Sequence, residues 1–125
     1  MKLSRFLLTV AGLCAAAAIA APAQGGQYST ARNLVSRVQN DLRRAERFTP
    51  PSDKEKERFY NAQHHLSQFD RDLSRGKFDK DKLDEAIDNV HSVVKNNTLS
   101  PGDRDTLEGD LRDLRELRAR RGTSF

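Results

Sequence analysis

Cysteine is nearly missing from the sequence, which has a single one, Cys14, among 125 residues. It lies in an apolar N-terminal run that we predict to be removed on export. The remaining chain then has no means of forming a disulfide bond, holding a metal through thiolates or using a cysteine nucleophile. A domain of about 100 residues without such crosslinks depends on its hydrophobic core alone, and small domains bury comparatively little surface. A homo-oligomer would be one way to stabilise it further.

Motifs for enzyme chemistry are also missing. No serine lies in a Gly-x-Ser-x-Gly elbow. The one glycine pair, Gly25-Gly26, precedes no helix of the phosphate-binding type. The carboxylates alternate with Lys and Arg at positions expected on the surface, so none stands out as an acid–base pair. The sequence therefore predicts a protein that is not an enzyme and uses no cofactor.

The long hydrophobic run of this sequence lies at its N-terminus. Lys2 and Arg5 precede a 16-residue apolar run over 6–21, and Ala21-Pro22-Ala23 places small residues at both key positions of a cleavage site. This is the three-part pattern of a secretory signal peptide. A membrane-spanning helix would need ~20 residues, so stable insertion after cleavage is not expected. We predict a protein located outside the cytoplasm, in the periplasm or secreted, with three segments: a signal peptide at 1–23, a flexible leader at 24–28 and a helical domain at 29–125.

Removal of the signal peptide halves the net charge. The whole chain has 22 basic and 18 acidic residues, a net charge of +4. Lys2 and Arg5 leave with the signal peptide, so 20 basic and 18 acidic residues remain, a net charge of +2. Aromatic residues do not alternate with the basic ones to form a base-stacking platform. We therefore expect no nucleic-acid binding beyond weak, salt-sensitive attachment.

Apolar residues recur at spacings of three and four in four separate segments, the pattern of amphipathic helices that each bury one face. No stretch alternates in the manner of a strand. The four apolar stripes are Ala31, Leu34, Val35, Val38, Leu42 and Ala45; Phe59, Ala62, Leu66, Phe69 and Leu73; Leu83, Ala86, Ile87, Val90, Val93 and Val94; and Leu107, Leu111, Leu114 and Leu117.

Turn and capping residues separate these segments. Pro50 and Pro51 end the first, because proline lacks the N–H that a helix requires. Ser52 followed by Glu55 is a capping box that starts the second. The other boundaries are marked by Gly76, by Asp79 or Asp81, and by Ser100-Pro101. Short loops place successive helices side by side, so we predict an all-α protein, an antiparallel four-helix bundle made of two helical hairpins.

Two helix starts resemble each other and a known motif. Phe48-Thr49-Pro50-Pro51 matches Leu99-Ser100-Pro101-Gly102 at an offset of 51 residues, which leaves open whether the two hairpins are a duplication. Both segments resemble the LTxxQ motif of small exported helical stress proteins, which bind unfolded clients or metals. Ser52 and Asp103 stand where that motif has glutamine, and the chain is not assigned to that family.

Histidine offers the one candidate metal site. If the second and third helices pack side by side, His65, His91 and Asp88 converge near the edge of the apolar seam. The ligand set is incomplete, since no His, Asp or Glu lies four residues from either histidine on its own helix. The other interpretation is that both are boundary histidines, partly buried and hydrogen-bonded.

These observations favour an exported, non-enzymatic helical protein that acts as a small protein-interaction or chaperone-like module of the cell envelope. Its expected partner is another protein. The alternative is a periplasmic metal-binding or metal-sensing protein that uses His65 and His91.

Export gives the first testable prediction. N-terminal sequencing of the protein recovered outside the cytoplasm should begin at Gln24, because cleavage is expected after Ala23. Retention of residues 1–23 in the membrane fraction would contradict both the predicted location and the predicted domain boundary.

Overall fold

The structure, a computed structural model, describes residues 28–121. The predicted signal peptide (1–23) and nearly all of the predicted leader (24–28) lie outside the described residues. Within 28–121 the chain forms four α-helices and no β-strand, which confirms the all-α prediction. The helices are α1 (Ser29–Phe48), α2 (Asp53–Ser74), α3 (Lys80–Asn96) and α4 (Pro101–Arg120).

The predicted capping residues begin and end these helices. The Ser52 hydroxyl accepts from the Glu55 amide at 3.3 Å, and Glu55 Oε1 accepts from the Ser52 amide at 2.9 Å, which completes the capping box. Asp79 caps α3, and Ser100 caps α4 with Pro101 in its first turn. Gly76 follows α2 with a φ of 81°, a conformation that glycine adopts without strain.

The four apolar stripes form one hydrophobic core. All 21 predicted stripe residues are buried and belong to a single cluster, against which Tyr28, Phe78 and Leu99 pack from the side. Helix α1 packs against α2 and α4, and α3 packs against the same two helices. No helix within residues 28–121 combines the length and the apolar character needed to cross a membrane.

Charged pairs join neighbouring helices around this core. Arg32 of α1 donates two hydrogen bonds to the carboxylate of Asp70 in α2. Arg118 of α4 likewise donates two hydrogen bonds to the carboxylate of Asp84 in α3. These pairs are partly exposed, and exposed ion pairs contribute little to stability. They guide helix pairing, but burial of the stripes supplies most of the stability.

A polar cluster ties the start of α2 to the loop between α3 and α4. Glu55 Oε2 accepts from the Thr98 amide at 2.6 Å, and the buried Asn97 side chain donates to the Glu55 carbonyl at 3.1 Å. Arg58 donates to the Asn97 side chain, and Arg104 donates to the Asn97 carbonyl. The hydrogen bonds from the Ser52 and Thr98 amides lower the pKa of Glu55 to about 2.

The core predicts large effects from two truncations. Leu66→Ala should lower the free energy of unfolding by ~2–5 kcal/mol and Val90→Ala by ~1–3 kcal/mol, because each leaves a cavity in a fully buried site. Lys56→Ala, at an exposed position of α2, is the control and should change it by less than about 0.5 kcal/mol. Chemical denaturation measures all three. Near-neutral effects at both core sites would mean that the stripes do not share one core.

Candidate functional site

An exposed aromatic side chain marks a groove between α1 and α4. Within residues 28–121 the large hydrophobic side chains left exposed are Phe48, at 71%, and Tyr60, at 66%. Tyr60 stacks on the His64 ring, with ring centroids 5.8 Å apart. Phe48 has no aromatic neighbour of this kind in the described chain and faces a groove of about 530 Å³.

The groove combines the end of one helix with the start of another. Its remaining lining residues are Arg44, Thr49, Ser100, Gly102, Asp103 and Thr106. Phe48 and Thr49 belong to the first of the two similar proline-flanked segments, and Ser100 and Gly102 belong to the second. The structure therefore brings these segments together at one surface, although they are 51 residues apart in the chain. A surface of this kind offers an apolar contact beside hydroxyl groups and one guanidinium.

A basic surface adjoins the groove on α1. A second, smaller concavity of about 280 Å³ is lined by Asn40, Asp41, Arg43, Arg44 and Arg47. Arg44 is common to both concavities. It donates to Asp41, while Arg43 donates to the neutral Asn40 side chain. The surface next to Phe48 is therefore rich in cations.

A buried pair of carboxyl groups lies in the contact between α1 and α4. The Asp110 side chain is 5% exposed and the Asp41 side chain 11% exposed, and Asp41 is the neighbouring acid that acts on the pKa of Asp110. Arg37 Nε donates to Asp110 Oδ1 at 3.3 Å, and Arg44 Nη2 donates to Asp41 Oδ1 at 2.6 Å. Asp110 Oδ2 is buried and has no hydrogen-bond partner among the described residues.

This environment favours the protonated form of Asp110. Burial raises its pKa most, the hydrogen bond and charge of Asp41 raise it further, and Arg37 lowers it by less, so that the pKa rises to about 7. Two unit charges about 4 Å apart repel by about 4 kcal/mol at an effective dielectric constant of 20. A proton between the carboxyls removes that repulsion and gives the inner oxygens a hydrogen bond.

The expectation that the carboxylates all lie on the surface is wrong for these two residues. Asp41 and Asp110 are buried because each occupies a position on an apolar stripe. Asp41 follows Leu34 by seven residues, and Asp110 precedes Leu117 by seven. An acid at a stripe position is the signal in the sequence that indicates a buried carboxyl.

The three candidate metal ligands differ in their exposure to solvent. His65 is half-buried, with Nδ1 facing the Asn61 carbonyl and the Asn89 side-chain oxygen and Nε2 3.4 Å from Glu85 Oε2. Both partners of Nδ1 accept hydrogen bonds, so Nδ1 carries a proton. Asp88 and His91 are exposed on α3.

His65, Asp88 and His91 are therefore not assembled as a ligand set. Within residues 28–121, no group of three or more His, Cys, Asp or Glu side chains is arranged to hold a metal ion. The contacts of His65 instead join α2 to α3.

The chain shows no match to known proteins. No protein-family model matches the chain, and neither a curated protein nor a solved structure shows significant similarity to it.

The carboxyl pair predicts an unusual dependence of stability on pH. Folded Asp110 binds a proton up to about pH 7, whereas the unfolded chain releases it near pH 4, so this group's contribution to stability falls as the pH rises between the two values. The loss is roughly 4 kcal/mol at most, at 1.36 kcal/mol for each pKa unit. Asp110→Asn keeps the shape without the charge, so it should abolish this slope and exceed the wild type in stability at about pH 8.

Chemical denaturation from about pH 5 to about pH 8 measures this difference while Glu55 stays ionised in the folded and unfolded chains. Asp113→Asn is the matched control, because Asp113 also binds Arg37 but is 46% exposed. It should keep the slope of the wild type. Parallel curves for the wild type and Asp110→Asn would show that Asp110 does not titrate in this range.

Proposed function

We propose that this chain is an exported, non-enzymatic protein-interaction module of the cell envelope, and that it binds a segment of another protein in the groove beside Phe48. The exposure of Phe48 on a concave surface is the observation that carries this proposal. A single exposed apolar side chain on a flat surface is ordinary, whereas an aromatic side chain within a groove is a typical anchor point for a partner. The N-terminal sequence pattern supports the extracytoplasmic location.

We further propose that the four helices form an antiparallel bundle built from two hairpins. The contacts between α1 and α4 support this arrangement. Arg37 reaches Asp113, Asp41 reaches Asp110 one turn earlier in α4, and Arg44 shares a groove with Thr106 and Asp103. Successively later residues of α1 therefore meet successively earlier residues of α4. The loops of a few residues between successive helices are those of antiparallel neighbours.

The groove suits an extended peptide that carries an apolar side chain next to an acidic one. Phe48 offers the apolar contact, and Thr49, Ser100 and Thr106 offer hydroxyl groups to a peptide backbone. Arg43 and Arg47 flank the site, and Arg47 forms no ion pair or hydrogen bond with residues 28–121 through its side chain. Asp103 is the one acid of the groove wall, so cations exceed acids across the two adjoining concavities. This excess favours an acidic partner segment.

Site-specific photocrosslinking tests the proposal. A photoreactive phenylalanine analogue placed at position 48 of the exported protein in intact cells should give covalent adducts with a distinct partner. The same analogue at position 60 is the matched control, because Tyr60 has similar exposure but does not line the groove. Mass spectrometry identifies the adducts. Identical adducts from both positions, or none from position 48, would contradict the proposal.

A steric variant tests whether the groove itself is the binding site. A side chain added at Gly102 meets no atom within 4 Å, so Gly102→Leu fills the groove without straining the fold. It should weaken binding by roughly tenfold or more and so lower the adduct yield from position 48. Gly109→Leu makes the same chemical change further along α4, outside the groove, and should leave the yield unchanged. Equal yields from both variants would place the partner elsewhere.

A further inference from the structure

The buried carboxyl pair and the groove share the same two helices and one arginine. Arg44 lines the groove and donates to Asp41 Oδ1. On the opposite wall, Thr106 lines the groove one helical turn before Asp110. The pair and the groove are therefore successive parts of one contact between α1 and α4. A change in the separation of these helices at Asp41 and Asp110 would act next to Arg44 and Thr106, which line the groove.

We propose that a proton shared between the carboxyl groups of Asp41 and Asp110 keeps α1 and α4 packed at the groove, and that loss of this proton opens it. The proposal rests on the proposed function, since it assigns a means of regulation to the same binding surface. In the protonated state the groove has the shape described above and captures its partner. In the ionised state the two helices separate and capture weakens.

The hydrogen-bonding pattern shows why the pair needs a proton. Arg37 donates to Asp110 Oδ1 and Arg44 donates to Asp41 Oδ1, so the guanidinium groups use one oxygen of each carboxyl. Asp110 Oδ2 has no donor among the described residues, although it is shielded from solvent. A buried acceptor without a donor is costly. A proton on either carboxyl would supply an O–H donor between the two acids, and Asp41 is the neighbour that favours the protonated form of Asp110.

Among the described residues, the charged groups that contact the pair belong to α1 and α4. Arg37 and Arg44 are the cations in contact with it, and both are about half exposed, so solvent weakens their attraction. Arg37 is also shared with Asp113, at 2.5 Å. Helices α2 and α3, which pack against α1 and α4, contribute no ion pair or hydrogen bond to either carboxyl within residues 28–121.

Ionisation of both carboxyls therefore leaves a buried charge that the surrounding arginines do not fully offset. The structure relieves this repulsion most readily by letting water reach the carboxyls, and water enters only if α1 and α4 move apart. The turns that carry Arg44 and Phe48 on one side and Thr106 on the other lie next to this point. The groove is linked to the proton through Arg44, which binds Asp41, and through Thr106, which lies one helical turn before Asp110.

Nuclear magnetic resonance of the isotope-labelled exported protein tests this coupling without a partner. The backbone amide signals of Gly102 and Thr106 in the groove are followed from about pH 5 to about pH 8, together with the side-chain carboxyl carbon of Asp110. We expect the groove signals and the carboxyl signal to change with the same midpoint. Above that midpoint the protonated fraction falls about tenfold for each pH unit, and the groove signals should follow it.

Neutral variants separate coupling from a general effect of pH. Asp110→Asn should hold the Gly102 and Thr106 signals constant over the same range. Asp41→Asn, a second variant that removes one of the two charges, should have the same effect. Asp113→Asn should leave the transition in place. Groove signals that stay constant in the wild type, or that titrate unchanged in Asp110→Asn, would overturn the proposal. Failure here with successful crosslinking at position 48 would leave the proposed function standing. Success here without crosslinking would leave the proton-dependent change between α1 and α4 standing, but not its role in capturing a partner.

Discussion

The contact between α1 and α4 is the constraint on which the rest of the described structure depends. These are the first and last helices, so their contact joins the parts of the described chain that are farthest apart in sequence and completes the enclosure of a core that α2 and α3 share. The same contact buries Asp41 and Asp110, each beside one arginine. Burying an unpaired charge is expensive, so the free energy with which α1 and α4 pack depends on the protonation of two carboxyls.

This dependence links stability to the proposed binding surface. A core of 21 buried apolar residues gains enough from burial to tolerate one unfavourable polar contact, provided that a proton satisfies it. The site of that contact lies one turn from Thr106 and is joined to the groove through Arg44. Stabilising this contact therefore also shapes the groove beside Phe48, and a protein-binding surface placed there is sensitive to a change deep within the fold.

Local features of the fold were predictable from the sequence, whereas the candidate site depended on tertiary contacts. Ser52 with Glu55 and Ser100 with Pro101 mark helix starts because capping acts within one helical turn. Within residues 28–121 the apolar stripes predicted every buried apolar residue, because a period of 3.6 residues fixes which side of a helix faces inwards. The stripe positions of Asp41 and Asp110 indicate burial, but the pairing of the two acids depends on how α1 packs against α4. The similarity of the segments at Phe48 and Leu99 was visible, but their meeting at one groove required the packing of distant helices.

Control of the α1–α4 contact by a proton requires that Asp110 is protonated at neutral pH. The titration of its side-chain carboxyl carbon, followed by nuclear magnetic resonance in the folded protein, measures this without any assumption about a partner. The structure predicts a midpoint of about 7. A midpoint near the ordinary aspartate value of about 3.9 would contradict the account, because the pair would then carry both charges at neutral pH without opening the contact between α1 and α4.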